Sequence, residues 1–462
     1  MGGISVQTTP VPGLLVVHLD VREDPRGWFK ENWQREKMVA HGVPDFGPVQ
    51  NNISFNGRAG TTRGIHAEPW DKFVSVGSGR AFGAWVDLRA GDSFGAVFTV
   101  ELTPWVAVFV PRGVGNSFQT LEDATSYTYL VNEHWRPDAS YAALALDDPT
   151  VAIPWPIPLA QSEVSAKDLH DNPRLAEVVP MPPRRTLVLG ADGQLGRALR
   201  EVFPDAHAVG RSELDLSDLD EIRSWPWSEY DTIINAAAWT AVDAAEDQRG
   251  PVWSVNASAP AELASVARDF RMTLVHYSTD YVFDGTRPLH AEDEPLSPLG
   301  IYGQSKAAAE LAIAGAPRHF ILRTSWLVGD GANFVRTMAA LADRGVSPQV
   351  VDDQFGRLTF ADELARATKH LLDTSSPFGT YHVSNSGEPT SWCEVAREVF
   401  RLRGRDPQDV SEVSTVEYFR DRPGAPRPRH STFALEKLAD TGFRPADALP
   451  ALAAYVAELP RG

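Results

Sequence analysis

The spacing of apolar positions changes once along the chain, near residues 170–185. Before that point the apolar runs are short and follow one another quickly: FVSVGSG, AFGAWVDLRAG, AVFTVEL, WVAVFVPRGVG and SYTYLVNEHW, with Gly- and Pro-containing turns between them. Many short strands at even spacing predict an all-β sandwich or barrel of jelly-roll type. Helical spacing is confined there to ENWQREKMVAHG. After that point, runs of four to six apolar residues (TLVLG, DTIINAA, TLVHYST, HFILRTSWLVG) alternate with amphipathic segments such as QLGRALREVF and a helix expected over about Val252 to Phe270. That alternation predicts βαβ units and a parallel sheet. Further helices are expected at ADELARATKHLL and SWCEVAREVFR, in a smaller substrate-side region.

The segment HDNPRLAEVVPMPPRR separates the two textures. Its Pro173, Pro180, Pro182 and Pro183 continue neither a helix nor a central strand, so an exposed connector is expected. The predicted organisation is a β domain at 1–175, a linker at 176–184 and an α/β domain at 185–462. The length of 462 residues suits two or three domains. A formal charge of −18 argues against a nucleic-acid binder, which needs a basic footprint. One cysteine, Cys393, rules out an internal disulfide framework and a Cys-rich zinc site. The N-terminus has neither a basic start nor an apolar core, and no run of ~18 apolar residues occurs. A soluble cytoplasmic protein with no membrane partner is therefore expected.

Candidate chemistry in the second half begins where TLVLG meets GADGQLG, with Gly190, Gly193, Gln194, Leu195 and Gly196 opening a helix. Glycines there permit a tight turn and let backbone N–H groups approach a pyrophosphate at the helix N-terminus. The spacing is GxxGxxG rather than GxGxxG, so an ordinary strand–turn–helix stays open as a reading. After the next strand, Arg211 is placed to meet the 2′-phosphate of NADP, the plain alternative being a surface arginine. Asp215 and Leu216 are placed to flank an adenine. Ala236, Ala237 and Ala238 are small, as needed where backbone passes close to a cofactor. Thr279 ends a strand, and Tyr302 and Lys306 form YxxxK, which puts both side chains on one helix face. A nearby ammonium is expected to favour the phenolate of Tyr302, so that its phenol gives up its proton to a carbonyl oxygen more readily.

In the first half, His66 in TTRGIHAEPW is accompanied by Arg63 and Lys72, cations suited to a diphosphate or an enolate oxygen. Asp168 is a candidate carboxylate to orient the imidazole, and Tyr129 a candidate proton donor. A structural histidine and a packed aromatic are the plain alternatives.

The blocks GADGQLG, NAAAWTAVDAAE, STDYVFDGT, IYGQSKAAAE, RTSWLVG and VVDDQFGRLTF resemble the dTDP-4-dehydrorhamnose reductases, extended short-chain dehydrogenase/reductases. The resemblance implies a Rossmann-type doubly wound parallel sheet with a small substrate-binding region, NADPH (NADH in some members), and reduction of a C4 ketone. It puts Thr279, Tyr302 and Lys306 on catalytic positions. It puts Tyr281, Trp326, Gln354, Arg357 and the 427–429 stretch beside the sugar nucleotide. Some members are magnesium-linked dimers; no Mg2+ ligand is placed here.

The blocks DPRGWFKENW, VQNNIS, TRGIH, KFVSV, VPRGVGNSF and VSAKD resemble the dTDP-4-dehydrorhamnose 3,5-epimerases, which are cupin-like jelly rolls. That resemblance implies a His66/Asp168 base, Tyr129 as proton donor, Lys72 at the enolate, and nucleotide contacts from Arg26, Glu31, Gln50, Asn52 and Arg63. Asn116 stands where the family usually has a histidine. His134 and Trp135 replace a Tyr-Tyr pair, with Trp135 or His134 able to stack on the base. Together the two resemblances imply a bifunctional enzyme of dTDP-L-rhamnose formation, a homodimer with a dTDP-sugar substrate. Rival readings are a reductase with an inactive or single-centre barrel acting on another dTDP-deoxysugar, and a Rossmann-type regulatory binding module.

Overall fold

A computed structural model describes residues 3–135, 141–374, 376–420 and 424–461. The chain forms two compact units, Met1–Pro183 and Arg184–Gly462.

The first unit is two antiparallel sheets. One runs, in spatial order, Ser5–Thr8, Leu15–His18, Val106–Val110, Lys72–Ser78, Thr125–Val131 and Gln50–Asn56. The other runs Ala142–Ala143, Thr62–Ala67, Val114–Thr120, Ala81–Asp87 and Val97–Leu102. Between them lie Val74, Val76, Trp85, Val108, Phe118 and Tyr127, all buried. The first sheet is covered on its outer face too, by Met38 of the helix Arg35–Ala40 and by Phe46, over Val17, Phe73 and Phe109. Burial on both faces is why the inner strands Leu15–His18, Val106–Val110 and Lys72–Ser78 are buried at consecutive positions rather than at alternate ones. The second sheet is covered by Leu144, Leu146, Val151, Ile153, Leu175 and Val178, from the segment that follows the last strand. That wrapping segment brings the short helix Ala166–His170 to the strand Thr62–Ala67, 102 residues earlier.

The expected linker at 176–184 is exposed at Ala176, Glu177, Val179, Pro182 and Pro183, but two of its side chains pin it to the first unit. Val178 and Met181 are buried, and Met181 exchanges backbone hydrogen bonds with Leu88 and Ala90. Its prolines stop helices and central strands, but they do not keep alternate apolar side chains from packing on a neighbouring sheet edge.

The second unit is a six-stranded parallel sheet in the spatial order His207–Val209, Arg185–Leu189, Tyr230–Asn235, Thr273–Thr279, His319–Thr324, Gly379–His382. The first strand in sequence has the second on one side and the third on the other. Strand order reverses there, which opens a crevice at the C-terminal strand ends. The helical segment expected near Val252–Phe270 runs from Arg249 to Asp269 and contains a wider turn at Ser254–Ser258. Such turns recur at functional sites. Here Asn256 uses it to accept from the Trp239 N–H and to donate to Ser305 Oγ. The smaller region packs the helices Phe334–Asp343, Trp392–Leu402 and Ala448–Glu458 around one apolar cluster.

Candidate active sites

The first unit holds a cavity of about 700 Å3 between its sheets, lined by Arg63, His66, Glu68, Lys72, Asn116, Tyr129 and Asp168 among others. Ser165 caps the helix Ala166–His170 by accepting from the Asp168 N–H. This fixes the Asp168 carboxylate, which is buried and lies 2.9 Å from His66 Nε2 and 3.5 Å from the Gly64 N–H. Gly64 has φ +114°, and a Cβ there would sit 2.7 Å from the Asn116 carbonyl oxygen, so the strand passes its neighbour only as glycine. Lys72 is buried and ion-paired with Glu68, its Nζ 5.8 Å from the Tyr129 ring centroid. Burial, then the Glu68 carboxylate, push the Tyr129 phenol above its ordinary value, while Arg63 pulls it down. Tyr129 therefore keeps its proton at neutral pH, as a donor must. The side-chain Oδ1 of Asn116 accepts from both Trp85 Nε1 at 2.9 Å and Tyr127 Oη at 3.0 Å.

Other expected nucleotide contacts lie outside this cavity. Gln50 and Asn52 share a strand face with the lining residues Ser54 and Asn56, farther along. Gln50 bonds Asn52 and His134. Arg26 is paired with Asp24 and Glu31 with Lys37, all at the surface. Trp135 is exposed. Glu68 escaped the sequence reading; its spacing of four from Lys72 was the available signal.

In the second unit a cavity of about 280 Å3 at the sheet's switch point is lined by Gly190, Gly193, Arg211, Asp215, Leu216 and Ala236–Ala238. Gly190 has φ +76°, and a Cβ there would meet the Ala237 nitrogen at 2.6 Å. A Cβ on Gly196 would lie 2.1 Å from the Gly190 carbonyl. This glycine therefore packs helix against strand rather than touching a ligand. Arg211 stands on the rim, exposed and 3.1 Å from Asp215.

A second cavity of about 400 Å3 shares Gly193, Ala236 and Ala238 with the first and adds Gln194, Leu195, Thr279, Tyr281, Tyr302, Lys306, Trp326 and Gln354. Burial and the Asp280 carboxylate push the Tyr302 phenol up to about 12, with Thr279 pulling it down. The expected downward pull of Lys306 is not among the effects on this phenol; burial is the largest, and it acts upward. Burial brings Lys306 down to about 8. Tyr281 meets Tyr302 edge-on at 5.5 Å, and Trp326 stacks on Trp392 at 3.7 Å, making aromatic walls. Arg357 does not reach this cavity: its guanidinium donates to the carbonyls of Gly387 and Phe433, holding loops together. Arg427 is held by Asp243. Asp280, Trp392 and Ser431 line the cavity without having been singled out; Trp392 comes from a helix whose sequence signals only packing. Among the described residues no cluster of three His, Cys, Asp or Glu side chains could hold a metal ion, so an Mg2+ site has no support. No described helix is long and apolar enough to cross a membrane.

A β cavity furnished for proton transfer and a doubly wound sheet bearing the Thr/Tyr/Lys set define an enzyme of isomerase and oxidoreductase character. Residues 184–460 match the family model described as the RmlD substrate binding domain, and residues 8–177 the model for dTDP-4-dehydrorhamnose 3,5-epimerase. A protein RmlC homolog from Streptococcus pyogenes serotype M6 is 47% identical over 181 residues, 38% of this chain and 90% of the relative. A dTDP-4-dehydrorhamnose reductase from Streptomyces griseus is 38% identical over 280 residues, 58% of this chain and 90% of the relative. The crystal structure of the Bacillus anthracis dTDP-4-dehydrorhamnose reductase in complex with NADP is 33% identical with a TM-score of 0.55. It covers 59% of this chain and 98% of its own. The chain belongs to the dTDP-4-dehydrorhamnose 3,5-epimerase family by its first half and to the RmlD reductase family by its second.

Proposed function

We propose that this chain carries out two consecutive steps of dTDP-L-rhamnose formation. The β unit epimerises dTDP-4-dehydro-6-deoxy-D-glucose at C3 and C5, and the α/β unit reduces the C4 ketone with NADPH. The observation that carries the reading is the 2.9 Å His66–Asp168 contact in a cavity that also holds Lys72 and Tyr129, on one chain with a Thr279/Tyr302/Lys306 cavity.

Both C3 and C5 lie α to the C4 ketone, so one enolate-stabilising site serves each in turn. Asp168 accepts the His66 Nε2 proton, which leaves Nδ1 as the basic nitrogen and steadies the imidazolium once it forms. Lys72 and Arg63 supply positive charge for the enolate oxygen. Tyr129 returns the proton.

In the second unit the glycine cradle and the Ala236–Ala238 loop leave the close approach that a dinucleotide backbone needs, and Arg211 on the rim favours NADPH over NADH. NADPH, when bound, supplies the hydride that reaches C4. Tyr302 donates its phenolic proton to the C4 oxygen, Thr279 orients that oxygen, and Lys306 holds positive charge beneath both. Tyr281, Trp326 and Gln354 position the sugar.

The exposed apolar side chains Ile53 and Phe55 on the edge strand Gln50–Asn56 support a homodimer, since such edges are usually covered. We place the enzyme in the cytoplasm. A single-centre epimerase acting on another dTDP-deoxysugar is the second reading. It is favoured by Asn116, whose side-chain Oδ1 is taken by Trp85 and Tyr127 and which has no titratable proton to give.

The test is deuterium uptake in D2O without NADPH. Label at both C3 and C5 supports the first reading, label at one carbon the second, and no label reduces the barrel to a binding module on a reductase.

A further inference from the structure

The face of the central strand Thr273–Thr279 that packs under the helix Ile301–Ile313 carries a fully buried histidine, His276. Its neighbour on that face, Leu274, belongs to an apolar core. A histidine there needs a partner for each ring nitrogen, and it has two that connect functional elements. Nε2 lies 3.0 Å from Lys306 Nζ, and Nδ1 lies 3.2 Å from Asn235 Nδ2. Asn235 ends its strand, and its Oδ1 accepts the backbone N–H of Ala237, inside the loop that lines the cofactor crevice.

The direction of this chain follows from its one fixed donor. A backbone N–H can only donate, so Ala237 makes Asn235 Oδ1 an acceptor. The amide nitrogen of Asn235 then faces His276 Nδ1 and donates to it. Nδ1 being the acceptor, the neutral imidazole carries its proton on Nε2. That N–H points at Lys306 Nζ, which accepts only as a neutral amine.

We propose that His276 is a positioning residue for Lys306. It is the last link of a hydrogen-bond chain that starts on the Ala237 backbone and favours the neutral amine of the lysine over its ammonium. The inference deepens the reductase reading and rests on it.

The surroundings agree. Burial, and then the positive charge that Lys306 carries when protonated, hold the His276 imidazole well below its ordinary range, hence neutral. Burial also brings Lys306 down to about 8. The other charged group that acts on Lys306 is Glu310 on its own helix, and Tyr302 and Asp280 share its cavity. Glu310, spaced four residues from Lys306, would stabilise the ammonium. Arg323 holds that carboxylate in contacts of 2.7–3.1 Å, and the upward pull of Glu310 on Lys306 is smaller than the effect of burial.

The test uses the full chain. In protein labelled with 15N-histidine, long-range 1H–15N spectra identify His276 by its loss in His276→Gln and report its tautomer. A neutral Nε2–H ring is expected above about pH 8, where Lys306 is the neutral amine. An Nδ1–H ring above that pH, or a ring that protonates between about pH 6 and 9, overturns the proposal. The second readout is the pH profile of ketone reduction, whose alkaline limb is expected near 8 as Lys306 loses its proton. In His276→Leu that limb should move up by at least about half a pH unit, because the neutral amine loses its donor. In His276→Gln it should stay, since an amide N–H can occupy the Nε2 position. A uniform loss of rate with an unmoved limb in the leucine variant marks a merely structural role and overturns the proposal. If the wild-type chain reduces no 4-keto sugar nucleotide at any pH, the reductase reading fails while the tautomer is still read. If the leucine variant does not fold, the tautomer decides.

Discussion

Replacing Asp168 by asparagine tests the epimerase site with the least change of shape. Asp168 is 6% exposed, and its two oxygens face His66 Nε2 at 2.9 Å and the Gly64 N–H at 3.5 Å. The Ser165 cap acts on the backbone N–H of residue 168, so the side-chain substitution leaves the helix start intact. Two losses are expected. The first is a charge-assisted hydrogen bond to the imidazolium, worth roughly 1.5–3 kcal/mol, or about 10- to 150-fold in rate. The second is the tautomer: an amide N–H turned toward Nε2 makes that nitrogen the acceptor and moves the proton to Nδ1, the nitrogen required as base. The same carboxylate-to-amide change behind another catalytic imidazole costs about 10^4 in rate. Asp168→Asn should therefore slow deuterium uptake at C3 and C5 by between about 10^2 and 10^4, with an unchanged circular dichroism spectrum. NADPH oxidation on pre-epimerised ketone should be unaltered. Uptake within about threefold of wild type in a folded variant would refute the assignment of Asp168 as orienting partner of the base.

Tyr302→Phe should reverse the pattern, lowering ketone reduction by at least about 10^2 while deuterium uptake continues, as read by NADPH oxidation and NMR on the same sample. Gly196→Ala places a Cβ 2.1 Å from the Gly190 carbonyl. It should cost at least about 2 kcal/mol and raise the KM for NADPH more than it lowers kcat, checked by thermal melts and kinetics. Asp280 is buried, and burial raises its carboxyl from 3.8 to about 6. The native state then binds more protons than the unfolded state between those values, so this group's contribution falls as pH rises through about 6. At pH 7 that costs up to about 3 kcal/mol. Asp280→Asn should accordingly raise the melting temperature at pH 7 and lose that advantage near pH 4. An equal gain at both pH values would show that the desolvation argument is wrong.

The aromatic walls and clamps of the sites were harder to anticipate than the groups that move protons. Tyr302 and Lys306 announce themselves because a helix puts positions four apart on one face, a rule that holds before any tertiary contact forms. Trp392 and Asp280 carry no such local signal. The first sits in a capped amphipathic helix, and the second follows Thr279 in a strand end where half the residues point elsewhere. Arg357 shows the converse. A guanidinium in a block of the right family still turns away from the cavity, because the carbonyls of Gly387 and Phe433 satisfy it where it is buried.

Periodicity alone determined the two fold classes. Many short apolar runs broken by turns point to packed sheets, and buried apolar runs between amphipathic helices require a covered parallel sheet. The glycines at the first βα turn were legible for the same reason, since backbone that approaches backbone within about 3 Å has no room for a side chain. Tertiary structure decided what distance in sequence hides. It brought Asp168 to His66 by wrapping residues 141–183 over a sheet. It paired Glu310 with Arg323, and it set His276 against Lys306. It also returned the supposed linker to the first unit, because Val178 and Met181 had a sheet edge to cover. Such pairings depend on where the chain returns to itself, and local propensity does not encode that return.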